Sequence, residues 1–438
     1  MVIISNFPQG GAKINGVVES YLAQAGQTIS AGDFVNFVTG NVISGTGTKT
    51  ALNTAGTGGY GVSAELLPNG KILVIYSNGS TYTYAHILTI SNGIITVGAA
   101  NQLVGYDSNI YLAVVSNTKI LIIRTNNVSP FTLSAAYLTI SDNTITLGSA
   151  TEITSYTMSS IDTTRLSDNR LLLVMHKQNT TYTYSTIITF DGVSISIAAL
   201  SEINTVAYID SLGVAKITDD KAILCYRDTT STICSKAKIL NISGNTINSG
   251  AIAQFGGNAY CHNPIVLSNT KVLDIYDDNA TNGAVGVNLL TIAVDDTITY
   301  GAKQQFGLLS GYALVTVCAQ PLANNKILVA YDMYASQGAN NGIYTLILAI
   351  SDSTITGTAG AKVSVELGGI PTGSIPIIQL SDSEIFIAYQ DTNTTSNYFA
   401  AANVLTIPVE VAKATTNPFD GVAKISGAGG STINVYTL

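Results

Sequence analysis

The sequence predicts an all-β chain: a seven-bladed β-propeller of four-stranded antiparallel blades, plus a small β-barrel or sandwich made from both termini. Three observations carry this. A unit of about 50 residues recurs seven times, and a repeat of that length fixes architecture. Each unit holds four short runs rich in Ile, Val, Leu, Thr and Tyr, divided by Asn, Asp, Gly and Ser turns. Non-repeating strand–turn–strand pieces flank the array at both ends.

The repeat is clearest where a polar turn, an anchor residue and an apolar run follow one another. It reads LPNGKILVIY at Leu67–Tyr76, then VSNTKILIIR at Val115–Arg124 and LSDNRLLLVM at Leu166–Met175. It continues as ITDDKAILCY at Ile217–Tyr226, LSNTKVLDIY at Leu267–Tyr276, LANNKILVAY at Leu322–Tyr331 and LSDSEIFIAY at Leu380–Tyr389. The anchors are Lys71, Lys119, Arg170, Lys221, Lys271, Lys326 and Glu384. A second segment, LTISNGIITVG from Leu88, keeps step with the first and ends truncated at Leu405–Val411.

In the first unit the predicted strands are Val62–Leu67, Ile72–Tyr76, Tyr82–Ile90 and Ile94–Ala99. Asn69-Gly70 and Asn92-Gly93 suit tight hairpins, because both residue types tolerate positive φ. One such sheet cannot bury both faces alone. Stacking the sheets around an axis buries them, and closing the ring removes free ends. A linear solenoid is the rival, with commonly shorter repeats.

The seventh unit lacks a strand, because the chain departs at Pro408. Gly47–Leu52 resembles the fourth strand of the other units, so Thr48–Asn53 is expected to complete the last blade and protect its edge. The propeller is then residues 45–411. The discontinuous terminal domain is residues 1–44 and 412–438. In it Ala23–Gly40 and Phe419–Leu438 each read as two strands around a turn.

Composition excludes several classes. The chain is 46% hydrophobic but only 11% charged, against about 25% charged in a typical soluble domain. Its net charge is −8 and its pI about 4.8, which argues against nucleic acid and anionic membranes as partners. No apolar run approaches the roughly 20 residues of a membrane-spanning helix, and MVIISNFPQGGAKING does not read as a signal peptide. Trp is absent, so sugar stacking would fall to the 23 Tyr. Cys225 and Cys234 lie on two arms of one predicted hairpin, where either a disulfide or a pair of buried thiols fits; without a secretion signal, thiols are expected. No CxxC pair suggests a zinc site.

Chemistry-bearing residues are few. His86, His176 and His262 read as structural, and adjacent residues Cys261 and His262 would point to opposite faces of a strand. A glycosidase needs two carboxylates across a cleft; the candidates are Glu152, Glu202, Asp210, Asp277 and Asp278. Glu152 and Glu202 occupy repeat positions that hold Gln102 and Gln305 elsewhere, which points to a repeated surface role. The S-x-D-x-G-x-x-W box of sialidase propellers cannot be present without Trp. Asp277-Asp278-Asn279 and Asp295-Asp296 offer hard oxygen ligands to calcium, but neither has the full alternating ladder, and turn chemistry explains them. No metal, no cofactor and no enzymatic activity are expected.

The recognition candidates are Tyr82 and Tyr84 in Thr81–Tyr84, nearly repeated as Tyr182 and Tyr184 in Thr181–Tyr184. Alternate strand residues share a face, so each pair lies on one side. The rings would either stack on a sugar or pack between blades.

Ala31-Gly32-Asp33-Phe34-Val35, Gly421-Val422-Ala423 and Gly429-Gly430 through Val435-Tyr436 form a pattern that resembles the small β-barrel domains of tailed-bacteriophage virion proteins. Capsid decoration and related head or tail attachment modules are similar. In that family the two halves are close in sequence, whereas here the whole repeat array separates them. The resemblance implies a barrel with Gly32, Asp33, Gly421, Gly429 and Gly430 in its turns. It implies a non-enzymatic virion structural protein, assembled in the host cytoplasm and displayed on the virion surface, as decoration, as a head fibre or for host attachment. Its partners would be other capsid or tail proteins and host-surface glycans, and a cyclic homo-oligomer such as a trimer fits. A tail receptor-binding protein or a bacterial surface glycan-binding propeller is the alternative, and a glycan-cleaving enzyme the third.

Overall fold

The structure is a computed structural model. It describes residues 18–23, 34–38, 45–53, 59–79, 81–103, 105, 107–126, 132–204, 208–230, 233–278, 284–306, 313–322, 325–334, 342–351, 354–362, 375–394, 397–407, 411–415, 422–423 and 432–436. The chain divides into two compact units, Gly45–Leu405 and the combination of Met1–Ser44 with Thr406–Leu438. No helix occurs among the described residues.

The larger unit is a ring of seven antiparallel sheets. The inner strands are Tyr60–Leu66, Asp107–Ser116, Met158–Ser167, Ile209–Thr218, Ala259–Ser268, Ala313–Leu322 and Ile377–Gln379, here numbered blades 1 to 7. The second strands are Ile72–Ser77, Lys119–Asn126, Arg170–Lys177, Lys221–Asp228, Lys271–Asp278, Lys326–Tyr334 and Glu384–Thr394. The third strands are Thr83–Ser91, Thr132–Ser141, Thr183–Phe190, Cys234–Ser243, Ala284–Ile292, Gly342–Ser351 and Asn397–Thr406. Second strands hold apolar runs, broken only by buried Asp274 in blade 5, because neighbouring blades cover both their faces. Every residue of Ile72–Ser77 is buried, and Leu73 and Ile75 share a cluster with Ile120 and Ile122 of the next blade.

The repeated anchor links one blade to the next. Lys119 Nζ of blade 2 donates to Gly192 O of blade 3. Arg170 Nη2 of blade 3 donates to Gly244 O of blade 4. Lys221 Nζ of blade 4 lies 2.5 Å from Asp296 Oδ1 of blade 5. Each acceptor sits in the turn after a third strand, at a residue with positive φ.

The outer strand is expected to be a single run but is broken in several blades. In blade 1 it comprises Ile94–Val97 and Asn101–Leu103, both paired with Thr83–Ser91. The break falls at Gly98, whose N–H donates to Ile87 O at 2.9 Å. A Cβ on Gly98 would lie 2.7 Å from that oxygen.

A buried polar bridge recurs beside this break. Tyr276 of blade 5 donates to Asn288 Oδ1 at 2.5 Å, and Asn288 Nδ2 donates to Gly301 O at 3.1 Å. In blade 7, Tyr389 donates to Asn403 Oδ1 at 2.5 Å, and Asn403 Nδ2 donates to Gly47 O at 2.7 Å. Blade 1 uses His86 in the same position. Its Nδ1 donates to Gly98 O at 2.9 Å, which leaves Nε2 to accept from the Tyr76 hydroxyl at 2.9 Å. Each bridge ties a buried hydroxyl to a carbonyl that the outer strand leaves unpaired.

Blade 7 is completed from the other end of the repeat array. Gly45–Thr46 and Thr50–Ala51 pair with Asn397–Thr406, with Ala51 opposite Ala401. Gly47 N donates to Val404 O and Leu52 N to Ala400 O, both at 2.8 Å. This is the closure expected of Thr48–Asn53, begun three residues earlier. It excludes the linear solenoid.

The smaller unit is a closed barrel in the order Val18–Ala23, Val411–Thr415, Phe34–Val38, Val422–Ala423, Thr432–Tyr436 and back to the first strand. Val18–Ala23 runs parallel to Val411–Thr415 and antiparallel to Thr432–Tyr436, with Val18 opposite Tyr436. Both terminal segments therefore contribute strands to one sheet. The turn residues Gly32, Asp33, Gly421, Gly429 and Gly430 lie outside the described residues.

Candidate functional site

The ring has two ends. The turns that follow the first and third strands lie at one, here the turn end. The hairpins between second and third strands and the crossovers between blades lie at the other. Gly45 and Leu405, the limits of the propeller, are both at the turn end, since the third strand of every blade finishes there. Tyr82, Tyr156, Tyr182 and Tyr208 are all exposed at the crossover end.

Blade 3 gathers most of them. Its hairpin turns at Asn179, which has positive φ, and Thr180 Oγ1 donates to Lys177 O at 2.8 Å. Tyr182 and Tyr184 then emerge on one face, as alternation requires. Their rings stack with centroids 6.3 Å apart and planes 26° apart. Tyr156, from the crossover into blade 3, stacks on Tyr184 at 6.2 Å and 30°. Lys177 Nζ caps Tyr156, 3.8 Å from its centroid. Tyr182 is 44% exposed and Tyr156 42%, so the three rings make an open strip. Glu202 lies opposite Tyr184 on the outer strand. Burial and the nearby Glu202 carboxylate raise the Tyr184 hydroxyl above the usual phenol range. At the flank, Tyr208 donates to Asn179 Oδ1 at 3.1 Å and sets its ring edge-on to His176.

Blade 1 places its pair differently. Tyr82 and Tyr84 meet edge to face at 6.5 Å. Tyr84 stacks on buried Tyr76 at 5.9 Å, and Tyr76 stacks on His86. One ring thus continues the core and one stands in solvent. In blade 3, Met175 takes the place of Tyr76 opposite Tyr184. The two tyrosine pairs are separated by a whole blade and do not form one site. Sequence reasoning missed Tyr156, Lys177 and Tyr208 because they come from crossovers and a strand end, outside the Thr-Tyr-Thr-Tyr signal.

The central cavity, about 830 Å³, is lined by inner strands from all seven blades. It carries carboxylates that the sequence did not single out. Burial pushes Glu65 up to about 7, against the opposing charge of Arg165. Burial also pushes Asp162 up to about 7, against the amides that bond it. Asp162 accepts from Val214 N at 2.7 Å and Thr163 N at 2.8 Å, so both its oxygens are used. Arg165 is spent on the carbonyls of Val114, Ser167 and Asp168. Such bonds lace neighbouring inner strands. Tyr111 donates to Ile161 O, and Asn263 Nδ2 to Val317 O at 2.6 Å.

Glu152 and Glu202 are exposed on the outer strands of blades 2 and 3, opposite Ser134 and Tyr184. The Asp210 side chain lies outside the described residues. Asp277 is pushed up to about 7 by burial and by Asp278, against Arg227. Asp278 pairs with Lys303 at 2.7 Å. Asp295 accepts from Thr297 N in a turn at 3.1 Å. Among the described residues, no three His, Cys, Asp or Glu side chains are placed to hold a metal. His176 Nδ1 bonds Thr183 Oγ1 at 3.0 Å, and His262 Nδ1 lies 2.7 Å from buried Asp274. None of the four cysteines is in a disulfide, and burial raises the Cys225 thiol well above the usual range.

The fold is that of a seven-bladed β-propeller. No family model matches the chain, and no curated protein does. Among solved structures it is similar to a protein of unknown function from Dyadobacter fermentans DSM 18053. The identity is 14% and the TM-score 0.47, over 69% of this chain and 95% of that one.

Proposed function

We propose that this is a non-enzymatic display protein whose propeller binds glycans at the blade 3 tyrosine strip and whose barrel attaches it to a larger particle. The observation that carries the binding role is the stacked, solvent-open series Tyr182–Tyr184–Tyr156. Aromatic rings present a large apolar area at little entropic cost and keep a hydroxyl for polar contact. Held by mutual stacking and by the hairpin, they are preorganised for the C–H face of a sugar. The strip lies at the end of the ring opposite the propeller's own termini. Many copies on one particle would convert weak single contacts into avidity. The non-enzymatic reading is supported by the cavity, where both oxygens of Asp162 are occupied by backbone amides and Arg165 is spent on backbone carbonyls.

The particle in this reading is a tailed-phage virion, on the resemblance in Ala31–Val35, Gly421–Ala423 and Gly429–Tyr436. Head decoration is favoured over a tail receptor-binding role.

Two experiments test it. Calorimetric titration and a glycan array compare the full chain with Tyr182→Ala and Tyr156→Ala. Binding that falls at least tenfold in both variants is expected; unchanged binding moves recognition off the strip. Immunogold electron microscopy on phage lysates, with antibody to this chain, is expected to label heads. Label at the tail tip makes it a receptor-binding protein, and no label on any particle removes the virion assignment.

A further inference from the structure

We infer that the blade 3 strip takes an anionic saccharide, with the carboxylate or phosphate of the sugar held by Lys177. This rests on the glycan reading above. Positive charge at the crossover end is otherwise spent on buried carboxylates. Lys49 pairs with Asp391 at 2.7 Å, Arg124 with Asp107 at 3.1 Å and Lys303 with Asp278 at 2.7 Å. Lys236 pairs with Asp228. Each of these cations faces a buried aspartate, and Arg227, which lies over the Tyr260 ring, faces buried Asp277. Lys177 differs: it lies over the Tyr156 ring, and no described carboxylate pairs with it. A π face attracts an ammonium without cancelling its charge. The donors on the side away from the ring stay available for a charge-assisted bond.

The strip has a polarity. Lys177 caps one terminal ring, Tyr156, while the exposed carboxylate of Glu202 stands beside the middle ring, Tyr184. An anionic substituent is attracted at the Tyr156 end and repelled near Glu202. The sugar ring that carries it then sits beside Lys177, and the next ring meets Tyr184 and Tyr182. The centroid spacings of 6.2 and 6.3 Å extend the strip beyond a single pyranose. Blade 1 supplies an internal contrast. Asn78 replaces Lys177 there, its Oδ1 accepting from Thr81 N and Tyr82 N at 2.8 and 2.9 Å. Gln102 replaces Glu202 opposite Tyr84. The charged pair thus belongs to the blade whose rings form the open strip.

The test is calorimetric titration of the full chain with four probes: an oligogalacturonate, sialyllactose, a glycerol-phosphate oligomer and neutral maltohexaose. At least one acidic probe is expected to bind tenfold or more tighter than maltohexaose, with affinity falling as salt rises from 50 to 500 mM, because exposed charges are screened. Lys177→Met is expected to abolish that preference and the salt dependence. Tyr182→Ala is expected to weaken all binding. The galacturonate and glycerol-phosphate arms separate a carboxylate from a phosphate ligand. Equal binding of neutral and acidic probes, or a preference that survives Lys177→Met, overturns the anionic assignment and leaves glycan recognition standing. Failure of every probe, neutral and acidic, removes glycan recognition and this inference with it.

Discussion

Lys221 on blade 4 and Asp296 on blade 5 lie 2.5 Å apart, although 75 residues separate them in the chain. With the Lys119 and Arg170 contacts, it accounts for the cation at the start of the second strand in blades 2 to 4, which fastens each blade to the turn of the next. Blade 7 has Glu384 there, and its Oε1 lies 3.8 Å from the point a Cβ on Gly93 of blade 1 would occupy. The position still meets the next turn, with an acceptor in place of a donor. Asp296 also accepts from Asn241 Nδ2 at 2.8 Å. Lys221 and Asn241 together hold its carboxyl below the usual carboxylate range. A double-mutant cycle with Lys221→Ala and Asp296→Ala, read by urea unfolding, is expected to give a coupling of about 0.2–1 kcal/mol. Because the folded value is depressed, this stabilisation is present above the ordinary Asp range and is lost as pH falls through the folded value.

His86 makes blade 1 sensitive to acid. Burial lowers its basicity, against the raising effect of its bond to Gly98 O. The unfolded chain therefore takes up a proton at a higher pH than the folded chain. Stability is full above the ordinary His range, about 6.5, and falls as pH drops below it. Asn288 and Asn403 fill the same place without titrating. His86→Asn is expected to unfold like the parent at pH 7.5 and to resist denaturation better at pH 5, followed by thermal melting.

Tyr276 lies flat against Gly286, its cross-strand partner. A Cβ on Gly286 would be 2.2 Å from Tyr276 Cε2. Gly286→Ala is expected to cost about 1–3 kcal/mol through forced displacement of the ring. Tyr276→Phe keeps the ring but leaves Asn288 Oδ1 without its donor, at a cost of about 1–3 kcal/mol. Chemical denaturation separates the two: a milder loss in Tyr276→Phe, Gly286→Ala combined than the sum of the singles would show that they act through one contact.

Glu65 works in the opposite pH direction from His86. Its folded value is raised to about 7 from an ordinary 4.5. Its protonated form fits the cavity, so stability is full below the ordinary Glu range and is lost as pH rises through about 7. Glu65→Gln is expected to match the parent at pH 4.5 and to melt at a higher temperature at pH 8.5. Equal melting curves at pH 8.5 would mean that the carboxylate is hydrated in the cavity.

The second strands were legible because they are buried on both faces, so seven apolar runs, interrupted only at Asp274 of blade 5, stand out from polar turns. The tyrosine pairs were legible from alternation alone. The broken outer strand was not. Gly98 needs its missing Cβ, but the corresponding residue of blade 3 is Ala198, which makes the same bond to Ile187 O. The signal is therefore uneven across the repeat. Tyr156 and Lys177 were hidden because contacts between a crossover and a hairpin leave no periodic trace. Glu65, Asp162 and Arg165 were hidden because inner strands carry register shifts, such as that between Met158 and Ser160 ahead of Asp162, and share no motif.

The pairing of Gly47 with Val404 has a meaning for biosynthesis. Asn403 Nδ2 and Gly47 O are 356 residues apart, yet one bond joins them. Ribosomes add about 5–20 residues per second, so the segment around Gly47 waits tens of seconds for its partner to be made. Six blades can stack during that interval, while the edge that Gly47–Leu52 will cover does not yet exist. Assembly ends in a single late event that joins early and late products of translation. A ribosome that stalls before residue 397 therefore leaves a ring with a gap, and its stacked sheets present an open flank to quality-control proteases and to other nascent chains.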